Sequence, residues 1–210
     1  YGIRLSKGEK EFRQLVEKLK IPVISSWTSS DLIQTDHEFY IGRSGIMGDR
    51  AGNFTVQNSD LLLIIGSRMS VPQVGYNYST FARKAKKIIV DIDETELSKP
   101  SIKPDLPITA DAREFIVSMI SLLEKELVTL SVDDWLQKCS NWKNKYPVAL
   151  PEYKENKVGV NSFYFVDLLS RKLDNKAVVV TDMGTSFTCT MQTFKTKQGQ
   201  RLFTSSGHAS

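Results

Sequence analysis

Charged residues stand directly after several short apolar runs of this chain. Arg68 follows one run, Asp91 and Asp93 follow a second, and Asp111 follows a third. Carboxylates at the ends of parallel strands commonly accept hydrogen bonds from ribose hydroxyl groups, so these acids indicate a nucleotide. The alternative is that Asp93 and Asp111 cap the helices that follow them, where an acid meets the positive end of the helix dipole. Spacing alone favours the helix cap.

A second candidate site follows the apolar run at residues 178–181. Asp182 ends this run, and Gly184, Thr185 and Ser186 come next. These small residues could open a helix whose first backbone N–H groups have no partner within the helix, and such groups bind anions. A diphosphate would suit this position. An ordinary strand-to-helix turn explains the same residues, and the residues alone favour that simpler interpretation.

The histidines and cysteines do not form a recognisable metal site. Cys139 and Cys189 lie far apart and neither has a paired metal spacing, which argues against a disulfide framework and against zinc. His37 lies in a polar stretch and is predicted to be a surface or turn residue. His208 follows Gly207 in a loop, where an imidazole could contact a ligand, although a simple loop role is favoured. No G-x-S-x-G motif indicates a serine nucleophile.

The composition of the chain limits which classes of protein it can belong to. The chain has 210 residues, of which 40% are hydrophobic, so it can bury a substantial core. The 28 basic and 24 acidic residues are intermixed, and no block of like charge predicts a nucleic-acid-binding arm. No apolar run approaches the roughly 20 residues of a membrane span. We therefore expect a cytoplasmic protein without a nucleic-acid or membrane partner.

The elements that must position the candidate residues can be predicted from hydrophobic periodicity. Short apolar runs predict strands within residues 21–27, 60–68, 86–97 and 106–112. Amphipathic helices are predicted at residues 6–20, with Ser6 and Glu9 at capping-box spacing, and at 111–127. The glycine-rich stretch 40–54 is expected to provide turns and close backbone approach before a short helix. Strands alternating with helices indicate an α/β fold with a doubly wound, Rossmann-like parallel sheet.

The remainder of the chain predicts a second α/β unit that is incomplete. A helix near residues 132–146 places Trp135, Cys139 and Trp142 on one side, and a proline-containing stretch follows it. A further helix is capped by Asn161 or Ser162, and it precedes strands near residues 177–182 and 201–206. No G-x-G-x-x-G motif follows a complete strand, so an ordinary nicotinamide dehydrogenase has little support.

Five segments in this order resemble a known family. Residues 22–70, 81–99 and 106–116 resemble the central domain of thiamine diphosphate-dependent enzymes of the acetolactate synthase family. The later segments "VVVTDMGTSFTCTMQTF" and "RLFTSSGHAS" resemble the start of the family's diphosphate-binding domain. The resemblance implies a central domain at 1–130 that lacks its first strand, with "YGIRL" as the end of that strand. It also implies a connector at 131–160 and the N-terminal part of the diphosphate-binding domain at 161–210.

The resemblance implies a reaction and its requirements. Enzymes of this family decarboxylate a 2-oxo acid, often pyruvate, and transfer the two-carbon unit to an acceptor, as in branched-chain amino acid biosynthesis. The cofactors implied are thiamine diphosphate and Mg²⁺, and the implied assembly is a homodimer or tetramer. The magnesium-binding G-D-G motif and the activating glutamate are expected outside these residues, so the chain alone is expected to be inactive.

The resemblance also assigns residues to cofactors. Gly184, Thr185 and Ser186 match positions that contact the diphosphate, and Gly207 and His208 match a loop that faces the cofactor's pyrimidine. The positions near the adenosine half of a structural flavin dinucleotide (FAD) are matched by Asp91, Asp93 and Asp111.

One departure from the family pattern bears on the flavin. Arg68 matches the arginine that opens the family's "RFDDR" segment, which here reads "RMSVPQ", so that both acids are lost and Pro72 is gained. FAD binding is therefore left open beside an alternative, a ligand-free structural central domain. A free-standing nucleotide-dependent deacylase or dehydrogenase would require a complete Rossmann unit.

Overall fold

The computed structural model describes residues 1–126, 130–155 and 158–204. The helices in these ranges are α1 Gly2–Leu5, α2 Glu9–Leu19, α3 Arg50–Asn58, α4 Val71–Val74, α5 Glu94–Ser98, α6 Ala112–Lys125, α7 Asp133–Lys145, α8 Ser162–Lys172 and α9 Thr185–Thr193. The strands are β1 Val23–Ser25, β2 Tyr40–Arg43, β3 Leu61–Ile65, β4 Lys86–Asp91, β5 Leu106–Thr109, β6 Val178–Thr181 and β7 Arg201–Thr204. Single turns of 3₁₀-helix lie at Trp27–Ser29, Tyr78–Thr80 and Pro151–Glu155.

All strand pairs in the described part of the chain are parallel. β1 pairs with β2, β4 lies between β3 and β5, and β6 pairs with β7. Helices lie in the connections from β3 to β4, from β4 to β5 and from β6 to β7, whereas the connection from β1 to β2 contains one 3₁₀ turn. The predicted α/β class with parallel strands is therefore confirmed.

The beginning of the chain differs from the prediction. Gly2–Leu5 is a helical turn and not the end of a strand. The capping-box prediction is also wrong, because α2 begins at Glu9 with Gly8 as its N-cap and has no side-chain cap. The Ser6 hydroxyl donates instead to the Ile3 carbonyl at 3.0 Å, so it is used by the preceding turn.

The glycine-rich stretch contains a strand that the sequence did not reveal. β2 is buried along its whole length and ends at Arg43. The predicted close backbone approach is confirmed at Gly52, where a Cβ atom would overlap the Arg43 carbonyl. A left-handed turn at Gly45, with φ of +100°, then leads towards α3. Asp49 caps α3 by accepting from the Gly52 N–H at 2.6 Å.

Two helices use their predicted apolar faces. α6 packs against α2 through Ile116, which is fully buried, and through Phe115 and Met119. α7 buries Cys139 against Ile41 of β2. The sequence 131–160 therefore contains a helix that packs on the first unit of the fold, which comprises β1 to β5 and their helices.

The second unit is built on β6 and β7. Asn161 caps α8 by accepting from the N–H groups of Phe163 and Tyr164 at 3.0 and 3.2 Å, which decides between the two predicted caps. α9 connects the two strands and packs against α8, and its apolar residues join Leu202 in one cluster.

A buried carboxylate ties the two units together. The Asp31 side chain is 2% exposed. It accepts from Arg4 Nη2 at 2.8 Å, from Arg201 Nε at 3.0 Å and from the Leu202 N–H at 3.1 Å. One acid therefore joins α1, the segment after β1 and the start of β7.

We predict that Asp31→Asn lowers the free energy of unfolding by roughly 3 kcal/mol, because breaking a buried ion pair leaves charge without compensation. Urea denaturation of the intact protein measures this loss. Glu124→Gln is the matched control, since the Lys18–Glu124 pair joins side chains that are 37% and 58% exposed. The control should change stability by less than about 1 kcal/mol. Equal effects of the two substitutions would contradict the role given to Asp31.

Candidate functional site

The N-terminus of α9 lies directly after a parallel strand. β6 ends at Thr181, and Gly184 precedes the helix with φ of +85° and ψ of −150°. This conformation is open to glycine and strained for other residues. The prediction that Gly184 introduces a helix at Thr185 is confirmed.

The first N–H groups of α9 are available to a ligand. The N–H groups of Thr185, Ser186 and Phe187 have no acceptor among the described residues, and no side chain caps the helix. Free N–H groups at a helix N-terminus, together with the helix dipole, attract anions. The geometry can therefore bind a phosphate group.

The hydroxyl groups around this terminus differ in availability. Ser186 Oγ donates back to the carbonyls of Asp182 and Met183, both at 3.2 Å, and Thr188 Oγ1 donates to the Gly184 carbonyl at 3.3 Å. Thr185 is exposed, and its hydroxyl has no hydrogen-bond partner in the described part of the chain. Thr185 is thus the free hydroxyl donor, while the Ser186 proton is engaged by the turn.

A cleft of about 510 Å³ opens beside the N-terminus of α9. Its lining is mostly apolar and comes from the loop after β2, from α8, from the turn between β6 and α9, and from α9 itself. The lining residues are Met47, Phe163, Met183, Gly184, Thr185, Phe187, Thr188 and Cys189. A ligand here would meet free amides at one end and apolar side chains along the walls.

The acids of the first unit lie at the carboxyl edge of β4 and β5. Asp91 ends β4 and is buried, and its Oδ1 accepts from the Asp93 N–H at 3.1 Å. Asp93 caps α5, accepting from the N–H and the hydroxyl of Thr95, and these bonds lower the pKa of Asp93. Asp111 caps α6, accepting from two backbone N–H groups at 2.8 and 3.1 Å. The cap interpretation therefore holds for Asp93 and Asp111.

These hydrogen bonds engage one oxygen of each carboxylate. The hydrogen bonds to Asp91, Asp93 and Asp111 use Oδ1 in every case. Within the described ranges, no bond to Oδ2 of these three side chains occurs. A nucleotide role for the three acids therefore remains a prediction.

Arg68 is engaged by an acid of α5. Its guanidinium contacts Glu96 Oε1 at 2.6 Å, and this hydrogen bond raises the pKa of Arg68. Lys99 also contacts Glu96, at 2.8 Å, and donates to the Arg68 carbonyl. The side chain of Arg68 is 79% exposed, so a ligand could still reach it. The segment after β3 contains the short helix α4, and Pro72 lies in its first turn.

The remaining candidates are easily placed. His37 lies in a turn, where its N–H donates to the Gln34 carbonyl, as predicted. Its Nε2 lies 2.9 Å from Glu17 Oε1. Cys139 and Cys189 are buried free thiols, and burial raises the pKa of each. Gly207 and His208 lie outside the described residues.

Two other kinds of site are not found in the described ranges. These residues hold no group of three or more histidine, cysteine, aspartate or glutamate side chains that could bind a metal ion. None of their helices is both long enough and apolar enough to cross a membrane.

A family model supplies the decisive comparison. The model described as "Thiamine pyrophosphate enzyme, central domain" matches residues 1–119 of this chain. The chain belongs to the thiamine pyrophosphate enzymes. Thiamine pyrophosphate is the same compound as thiamine diphosphate, so the resemblance noted in the sequence is confirmed.

Individual members of the family match beyond the central domain. The acetolactate synthase large subunit of Lactococcus lactis is 29% identical over 98% of this chain and 34% of its own length. The probable acetolactate synthase large subunit of Methanocaldococcus jannaschii is 28% identical over 98% of the chain and 35% of its own. The acetolactate synthase isozyme 1 large subunit of Escherichia coli is 26% identical over 93% of this chain and 33% of its own length. The chain thus spans about a third of the length of these relatives.

Several residues near the cleft of this family member were not found from sequence. Met47 and Phe163 line the cleft from different segments, and Arg43 contacts the far end of α9. The sequence carried no usable signal for Arg43, because the buried strand that it ends was itself not predicted.

The capping role of Asp111 can be tested separately from any ligand role. Asp111→Ala should destabilise the intact protein by about 1 kcal/mol, whereas Asp111→Ser should change stability by only a few tenths, because serine also caps helices. Thermal unfolding of the two variants measures the difference. If both variants lost the same stability, the carboxylate charge would matter and the cap assignment would be wrong.

Proposed function

We propose that this chain is part of a thiamine diphosphate-dependent carboligase similar to acetolactate synthase. The reaction proposed is decarboxylation of a 2-oxo acid, with pyruvate as the expected donor, and transfer of the two-carbon unit to an acceptor. The observation that carries the proposal is the uncapped N-terminus of α9 beside the 510 Å³ cleft. It lies in a segment that is matched by acetolactate synthase large subunits.

The residues at this terminus fit a diphosphate. The N–H groups of Thr185, Ser186 and Phe187 supply donors, and the dipole of a nine-residue helix supplies a favourable field. Thr185 adds a hydroxyl donor. Gly184 lets the chain turn from β6 into α9. Apart from Gly184 and its two chain neighbours, no described residue has a heavy atom within 4 Å of the point that a Cβ atom would occupy there, so a phosphate can approach the backbone.

The cofactor would supply the electron sink for cleavage of the 2-oxo acid. The chain's own residues would bind and orient it and exclude water. Met47 and Phe163 form apolar walls of the cleft, which favour a flat, weakly hydrated ring over free solvent. The site thus combines an anion-binding end with an apolar body.

The magnesium ligands and the other catalytic groups are proposed to lie elsewhere in the intact protein. We propose that Gly207 and His208 face the pyrimidine ring. Alone, the chain is expected to be inactive.

The proposed domains are the central domain at 1–130, a connector at 131–160 and the start of the diphosphate-binding domain at 161–210. The proposed absence of one central strand is supported by the sheet edges. β1 pairs with β2 alone and β3 with β4 alone in the described part, and Leu61 of the apolar β3 is 52% exposed. A parallel strand between β1 and β3 would complete one sheet. We further propose a cytoplasmic homodimer or tetramer.

FAD is the second candidate ligand, and it bears on the central domain alone. The Oδ2 atoms of Asp91, Asp93 and Asp111, which have no partner among the described residues, and the exposed Arg68 favour a bound nucleotide. The Arg68–Glu96 pair and α4 favour an empty scaffold. Titrating the intact protein with FAD and following the flavin fluorescence separates the two. Saturable binding that is weakened by Asp91→Asn supports the flavin, and the lack of any saturable signal supports the scaffold.

The test of the proposed function is a pair of glycine substitutions in the intact protein. Gly184→Val should weaken thiamine diphosphate binding by about tenfold to a hundredfold, because a distorted turn costs one or two hydrogen bonds to a charged group. Calorimetric titration in the presence of Mg²⁺ measures the affinity.

Gly75→Val is the matched control for this test. Gly75 has a similar conformation, with φ of +79° and ψ of −175°, and it also has open space at its Cβ position. The control should keep the cofactor affinity within about twofold, since Gly75 does not line the cleft. Unchanged affinity in Gly184→Val would rule out the proposed contact.

A further inference from the structure

The last residue of β2 and the loop that follows it lie against different ends of α9. At the C-terminal end, Arg43 donates from Nη1 to the Gln192 carbonyl at 3.0 Å and from Nη2 to the Phe194 carbonyl at 2.6 Å. The last carbonyls of a helix have no partner within the helix and carry the negative end of its dipole. A buried guanidinium at this position therefore satisfies two acceptors and meets a favourable charge.

Arg43 is itself held firmly by the first unit. It is 3% exposed and ends a strand that pairs with Ser25 of β1. Its backbone N–H donates to Asp49 Oδ2 at 2.8 Å. Gly48 and Gly52 both pack so closely against its carbonyl that neither could carry a Cβ atom without displacement. The guanidinium is thus attached to a rigid base.

Met47 lines the cleft beside the other end of α9. It packs on the apolar cluster that contains Phe187, which lies in the first turn of α9, and it lines the cleft together with Gly184. A helix of nine residues is about 14 Å long, so contacts at both ends constrain its tilt as well as its position. Arg43 and the loop after it can therefore constrain where the free N–H groups of α9 lie.

We propose that Arg43 is a positioning residue for the diphosphate site. By holding the carbonyls of Gln192 and Phe194, it orients α9 so that the N–H groups at its opposite end converge on the cleft beside Met47. The inference rests on the proposed function. It adds that the first unit of the fold controls the affinity of the second unit for the diphosphate.

The experiment compares thiamine diphosphate with thiamine monophosphate in the intact protein. Arg43→Met keeps an apolar stem of similar length and removes the charge and the donors, whereas Arg43→Lys keeps the charge. Arg43→Met should weaken diphosphate binding by about tenfold, as for the loss of one or two hydrogen bonds to a charged group, and should reduce the preference for diphosphate over monophosphate. Arg43→Lys should fall between Arg43→Met and the unsubstituted protein.

Thr196→Val controls for loss of stability. Thr196 is 2% exposed and also joins the two units, donating from Oγ1 to the Ser30 carbonyl at 3.1 Å, but it lies outside α9. This variant should lower the thermal unfolding midpoint while leaving the diphosphate preference unchanged. An equal loss of preference in Thr196→Val, or an unchanged preference in the Arg43 variants, would overturn the inference.

Two further outcomes keep the proposals distinguishable. If the unsubstituted protein shows no saturable binding of thiamine diphosphate with Mg²⁺, the proposed function is wrong and the positioning role falls with it. If the unsubstituted protein binds and the Arg43 variants bind equally well, only the positioning role is wrong. Should Arg43→Met fail to fold, the diphosphate preference of Arg43→Lys decides the question.

Discussion

The buried guanidinium of Arg43 is the contact on which the placement of α9 depends. Burying a cation costs several kcal/mol unless polar groups replace its water. No carboxylate in the described part forms an ion pair with Arg43, and its Nε is buried without a partner. The carbonyls of Gln192 and Phe194 supply the compensation instead. Because this compensation is available only when α9 is docked, the burial of Arg43 favours one arrangement of the two units.

The carboxyl edges of the parallel strands are used in two different ways. After β4 and β5, Asp93 and Asp111 accept hydrogen bonds from the backbone N–H groups of the following helices and cap them. At β6 the corresponding helix has no side-chain cap, and its first N–H groups are left without acceptors in the described residues. The same topology therefore yields structural caps in one unit and a helix terminus without a side-chain cap in the other.

Local structure was largely predictable from sequence, because local patterns carry it. The apolar face of α6, the cap at Asn161 and the helix after Gly184 all follow from residues within a few positions of one another. β2 was missed because Gly42 and Gly45 were interpreted as turn residues. The burial of this strand depends on partners that are distant in the sequence. Ser6 and Glu9 have capping-box spacing, yet the Ser6 hydroxyl does not cap α2 and instead donates to the Ile3 carbonyl.

Contacts between the two units could not be predicted in the same way. Asp31 and Arg201 are 170 residues apart, and Arg43 and Phe194 are 151 apart. No periodicity connects such positions, and a charged residue near an apolar run is as compatible with an exposed surface as with a buried ion pair. The turn at Gly184 was therefore predictable from the sequence, whereas the walls that Met47 and Phe163 provide were not.

The most direct measurement is a structure of the intact protein with thiamine diphosphate and Mg²⁺ bound. We expect diphosphate oxygens within hydrogen-bond distance of the N–H groups of Thr185 to Phe187, with α9 still held by Arg43. A diphosphate bound away from this terminus, with these N–H groups facing solvent, would contradict the proposed site.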